Sequence, residues 1–244
     1  MNTSDSPIRN KLIFLATFSV AMGFLEAMVV VYLRRLYYPE GFSFPLKMMA
    51  VQAFSFEALR EISTIIMLVS VGIAAGRNRF ERVACVLYCF GIWDICYYVW
   101  LKALLNWPPS LFTWDILFLI PVVWAGPVLS PVICSFTMVT MALSVWMSQR
   151  KGQVVGLSSP EWVLLSLGAV IILLSFVWEY GKIIVQGGFL PRLLSLGTDP
   201  YFQKVIAAHV PGAFNWNFFL LGEGCVLVFV VLLWKRMVRR KSSS

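Results

Sequence analysis

Residues 56–65 read FEALREISTI and bring Glu57, Arg60 and Glu61 within one turn and a half of each other. The flanks decide what this stretch is. MMAVQAFSF leads into it over 48–56, STIIMLVSVGIAAG follows over 63–76, and RNRFER marks the return to water only at 77–82. The run is long enough to cross a ~30 Å hydrocarbon layer as a helix at ~1.5 Å per residue. The three charges therefore fall in mid-span, where hydration is lost.

The rest of the chain has the same character. Hydrophobic residues make up 59% and charged residues 13% of the 244, against roughly 25% charged in soluble globular chains. Mean hydropathy is +0.80. Composition predicts an all-α integral membrane protein in a cell inner or plasma membrane, with no sizeable soluble domain. Six transmembrane helices fit at about 12–33, 48–76, 83–104, 128–148, 162–182 and 214–234. The opening MNTSDSPIRNK is polar, and the first apolar run holds Glu26 and lacks a small-residue cleavage site, so a retained helix is expected. The chain forms one polytopic domain with a basic tail over 235–244.

Charge sets the expected direction. With the N-terminus in the cytoplasm, twelve Lys and Arg lie on the inner side, among them Arg9, Lys11, Arg77, Arg79, Arg82, Arg150 and Lys151. Seven lie outside: Arg34, Arg35, Lys47, Lys102, Lys182, Arg192 and Lys204, which leaves Arg60 alone within a span. Positive-inside bias puts both termini in the cytoplasm. It also reads the net charge of +8 as an orientation signal, with no nucleic-acid partner. The apolar stretch LFTWDILFLIPVVWAGP, 111–127, would be a seventh crossing and would move the tail outside. Pro121, Gly126, Pro127 and Pro131 favour a re-entrant or interfacial segment instead. Tyr37, Tyr38, Trp107 and Trp114 read as an interfacial aromatic belt. Residues 183–213, broken by Gly187, Gly188, Pro191, Gly197 and Pro200, read as short surface helices, either a connector or a lid. No tandem or inverted repeat is evident.

Five acids converge on one depth. Counted along their spans, Glu26, Glu57, Glu61, Asp94 and Glu223 lie roughly 10–19 Å from a span end. Glu57, Arg60, Glu61 and Thr64 follow i, i+3, i+4, i+7 spacing and share a helix face. Since one mid-helix charge costs about 2.5–3.5 kcal/mol even on insertion scales, these groups must face each other or water. A single Arg cannot neutralise five carboxylates, so the remainder need a proton, water or a cation. Gly222 and Gly224 flank Glu223 and Gly23 precedes Glu26, allowing close helix approach. Tyr97 and Tyr98 stand within a turn of Asp94 and supply hydroxyls or aromatic faces. Glu179 and Asp115 either extend the polar path or anchor the interface. One Arg with two acids would suffice to fix helix register, but five acids on four helices exceed that need and point to an outward-facing polar cavity, open to the outer side.

Much chemistry is excluded. The one histidine, His209, cannot build a zinc, di-iron or paired-histidine haem centre, so no haem or zinc site is expected. Walker, Gly-x-Ser-x-Gly and dinucleotide fingerprints are missing. Cys85, Cys89, Cys96, Cys134 and Cys225 lie in apolar runs and read as packing residues, not as metal ligands or disulfides. Three functions remain open. The first is binding or transport of a cationic or protonatable ligand, an amine, a hard cation or protons, by Glu26, Glu57, Glu61, Asp94 and Glu223, with Arg60 balancing charge. The second is an intramembrane enzyme using carboxylic acid–base chemistry on an isoprenoid or other lipid. The third is a structural subunit of a membrane complex, packing through the small residues of GIAAG, 72–76.

Overall fold

The computed structural model describes residues 6–150, 156–192, 196 and 199–239. Lys151 and the end of the basic tail, 240–244, lie outside them. In chain order the elements are α1 (Ser6–Tyr37), α2 (Val51–Ala75), α3 (Arg79–Leu105), β1 (Trp114–Phe118), β2 (Trp124–Pro127), α4 (Leu129–Arg150), α5 (Ser159–Gln186), α6 (Pro200–Ala208) and α7 (Trp216–Arg239). Six helices, all but α6, are long and apolar enough to cross a membrane. The chain is a multi-pass membrane protein with an α-helical bundle. The basic tail begins as a continuation of α7.

Local chemistry fixes the helix starts and stops. Asn78 caps α3 by accepting from the Glu81 N–H at 3.0 Å. Ser158 and Glu161 form a capping box at α5, and Asp199 accepts from the N–H groups of Tyr201 and Phe202 at the start of α6. Asn106, in the left-handed region at φ 51°, ends α3.

Polar contacts give the up-and-down order. Lys11 pairs with Glu81, Gln149 donates to Asn78 at 3.2 Å, and Arg236 meets Glu161 at 3.1 Å. These contacts and the shared core gather the starts of α1, α3 and α5 with the ends of α4 and α7, so the start of α1 and the end of α7 lie at one end of the bundle. Leu15, Leu68, Cys89, Trp146, Phe229 and Leu233 pack into a core from five helices and close that half. Gly72 belongs to the same closure. A Cβ there would lie 2.3 Å from Val86 Cγ2, so the small-residue stripe of α2 is occupied by α3 and is no free docking face.

The other half is built differently. Residues 111–127 neither cross nor lie flat. β1 and β2 form an antiparallel hairpin pairing Trp114 with Pro127, Asp115 with Gly126 and Ile116 with Ala125, with a register shift before Phe118. Its base extends through the Val128 N–H to Thr113 O and the Leu129 N–H to Leu111 O. Prolines bar a helix here, while Ile, Leu, Phe and Trp suit a strand. The hairpin points into the bundle, where Phe118 lies 6.4 Å from the rings of both Phe90 and Trp93 in α3. This is a re-entrant segment made of strands. At the same end α6 packs through Phe202 against Ile184, Phe189 and Leu196.

Candidate functional site

A cavity of about 970 Å³ occupies the half of the bundle that the core leaves open. Its walls are mostly apolar. Glu26, Glu57, Arg60, Glu61, Asp94 and Glu223 all line it, as do Tyr97 and Tyr98. Close helix crossings carry the acids to this level. A Cβ on Gly23 would lie 2.9 Å from the Trp93 carbonyl oxygen, one on Gly91 2.7 Å from that of Ser135, and one on Gly222 3.0 Å from that of Gly168. Each of these glycines stands within one turn of an acid. The close approach needed for packing and the placement of the carboxyls therefore share one cause, whereas Gly224 has open space beside it.

The acids fall into separate settings. Arg60 Nε donates to Glu57 Oε2 at 2.8 Å, and its Nη1 reaches Glu26, which also accepts from the Thr64 hydroxyl. This joins α1 to α2. Glu61, one turn on, turns to the hairpin and accepts the Leu119 N–H at 2.9 and 3.1 Å. Asp94 accepts from Ser135 at 2.7 Å, across the α3–α4 crossing. Glu223 accepts from Thr137, and the Cys134 thiol approaches it at 3.8 Å. Among the described residues, no basic side chain comes within 4.0 Å of Glu61, Asp94 or Glu223. Nor do three His, Cys, Asp or Glu side chains come together as a metal-holding group among them.

Sequence expectations at Arg34, Trp107 and Glu179 need correction. Arg60 is not the one buried guanidinium. Arg34, read as an outer basic residue, is 7% exposed and donates to Asp115 at 3.0 Å. Its guanidinium lies 3.6 Å from the centroid of Trp107 and 4.6 Å from that of Phe42, in cation–π range. Trp107 therefore faces the protein and not a lipid headgroup belt. Of the two readings open for Asp115, extending the polar path or anchoring the interface, its place in the cavity wall agrees with the first. The pair shares one hydrogen bond, leaving the buried Arg34 Nη1 and Asp115 Oδ2 without hydrogen-bond partners. Burial consequently pushes the Asp115 carboxyl up to about 6, although the Arg34 charge pulls the other way. Glu179 lies outside the cavity. It holds Lys182 at 2.6 Å, the Gly212 N–H at 3.1 Å and His209 at 3.4 Å, so it tethers the chain after α6.

Sequence reasoning also passed over Ser135 and Thr137. The available signal was that α4 carries no acid yet places hydroxyls beside the acids of its neighbours. Fold and site together define a multi-pass α-helical membrane protein with a carboxyl-rich internal cavity. No family model matches the chain, and neither a curated protein nor a solved structure matches it.

Proposed function

We propose that the cavity binds a cationic or protonatable ligand, for retention or for transport, with the positive charge among Glu26, Glu57, Glu61, Asp94 and Glu223. The observation that carries this reading is the trio Glu61, Asp94 and Glu223. Each meets only hydroxyl, thiol or amide donors, and all face one cavity. In a low-dielectric interior such carboxyls require a proton or a cation. Arg60 holds the charge of Glu26 and Glu57 in place. A hard metal cation is a poorer fit than an organic one, because six or more oxygens would have to meet at a point and the carboxyls are instead spread around the walls.

The basic residues support an orientation. Arg9, Lys11, Arg77, Arg79, Arg82 and Arg236 gather at the end with the termini, and Arg34 is withdrawn from the opposite surface. Positive-inside bias puts the termini in the cytoplasm and the hairpin end of the cavity outside.

The direct test is native mass spectrometry of the protein released from nanodiscs, wild type against Glu57→Gln/Glu61→Gln. A retained cationic species that the double variant loses supports the reading. Equal retention by a folded variant overturns it.

One observation favours a second reading, an intramembrane acid–base enzyme acting on a lipid. Asp94 sits in an aromatic wall with Trp93, Tyr97 and Tyr98, where a carboxylic acid can donate a proton to an apolar substrate. Lipid profiles of cells carrying Asp94→Asn test it. An unchanged profile with a folded variant counts against catalysis.

A further inference from the structure

The cavity has two kinds of boundary. At the hairpin end it is covered by chain. Phe42 and Leu46, from the segment between α1 and α2, line it there, together with Phe202 and Ile206 of α6. Leu46 is 9% and Phe202 6% exposed, so apolar side chains stand between the carboxyls and the aqueous side. Along the flank the walls are α2 and α5. These two helices share no packed interface: α2 packs on α3, while α5 packs on α7 and on β2.

The α5 wall includes Ile172 and Phe176 and a row formed by Leu165, Ala169 and Leu173. Their spacing, i, i+4, i+8, draws one stripe about 12 Å long at ~1.5 Å per residue. Ala169 and Leu173 line the cavity and keep an accessible surface. Because α2 and α5 are not packed on each other, this accessible stripe forms one side of a sideways cleft. Opposite it, α2 presents Glu57, Arg60 and Glu61, whose charges lie about 9–15 Å from the start of that helix at ~1.5 Å per residue. One side of the cleft is thus aliphatic and the other ends in carboxylates.

We infer that the ligand is a single-chain amphiphile with a cationic head, drawn from the bilayer through the cleft between α2 and α5, its head among Glu57, Glu61, Asp94 and Glu223 and its chain along Leu165, Ala169 and Leu173. The inference rests on the reading that the cavity takes a cation, and it adds the chain and the route. Charge complementarity selects the head. The chain gains little on leaving lipid, which is as apolar as leucine, so its role is to concentrate the ligand in the membrane. Apparent affinity, referred to aqueous concentration, then rises about fourfold per methylene, the equivalent of ~0.8 kcal/mol.

The test uses full-length protein in phosphatidylcholine nanodiscs and a hexadecylamine carrying a photoreactive diazirine at mid-chain. The expected result is labelling of the α5 peptide spanning Leu165 to Leu173, with about tenfold loss in Ala169→Trp or Leu173→Trp variants that keep wild-type melting. Dodecylamine competes and butylamine does not. If butylamine competes as well as dodecylamine, or label falls only on α6, entry from the bilayer is overturned while the cation reading stands. If photoreactive palmitic acid labels the stripe equally, the cationic head is overturned. If no amine binds and Glu57→Gln/Glu61→Gln changes nothing, the cation reading itself fails and this inference falls with it.

Discussion

Arg60 and Arg34 both neutralise buried carboxylates on the cavity wall, but Arg60 keeps 25% of its side chain exposed and Arg34 only 9%. Arg60 joins acids of two helices and retains an open face toward the cavity. Arg34 is pressed between Trp107 and Phe42 and pins α1 to the base of the hairpin through Asp115. The same residue type thus sets charge in one place and holds architecture in the other. Surroundings decide which: Arg34 also lines the cavity, but two rings cover its guanidinium and Asp115 holds it.

The largest effect expected from breaking this contrast is on stability. Arg34→Met leaves Asp115 buried without a countercharge, which costs about 3–5 kcal/mol at pH 7.5, read by thermal unfolding in detergent. Arg34→Met/Asp115→Leu recovers most of that loss; failure to recover would mean that the pair is not the latch. Acid sharpens the same point. Folded Asp115 holds its proton more tightly than the unfolded chain, with a pKa of about 6 against the ordinary Asp value near 4. Its contribution to stability is therefore fully present below about pH 4 and is lost as pH rises through 6. The Arg34→Met deficit should shrink at pH 5, and an undiminished deficit would contradict this assignment.

Gly91→Leu comes next. The new side chain meets the Ser135 carbonyl and forces α3 from α4, at about 1–3 kcal/mol, and it separates Asp94 from Ser135 without touching Arg34. Arg60→Gln is expected to act mainly on binding. Removing a positive charge from the carboxylate layer raises affinity for a cationic amphiphile about thirtyfold, taking ~8 Å and an effective dielectric of ~20 as a guide; a fall would assign Arg60 to an anionic partner. The smallest effect is that of Glu179→Gln. It loosens 209–213 by about 1 kcal/mol or less, visible as faster proteolytic nicking, with amine binding unchanged.

The six spans were legible because an apolar run of about 20 residues has few other uses. The acid layer could be read by counting residues along those runs. What escaped were contacts whose partner carries no mark in the sequence. Arg34 and Asp115 are 81 positions apart, and RR at a helix end is also what an interface anchor looks like. Glu61 is held by the backbone N–H of Leu119, which any residue but proline offers. Glu179 looked like part of a polar path because its partners, His209 and Gly212, lie in a loop whose fold local periodicity does not encode. The prolines of 111–127 excluded a helix, but pairing of the two strands depends on register across a turn.

The hairpin has one more consequence. A two-stranded sheet has two outer edges, and at this depth no third strand covers either. The Glu61 carboxylate takes one edge N–H, at Leu119. Outward-pointing amides and carbonyls of a sheet edge find no partner in hydrocarbon, where each unmet group costs several kcal/mol. Water is the expected partner for such groups, which predicts a small hydration pocket beside the carboxyls. Deuterium should therefore reach the amides of 116–123 faster than those of the flanking helices, giving the protein's interior a wet seam in the middle of an oily layer.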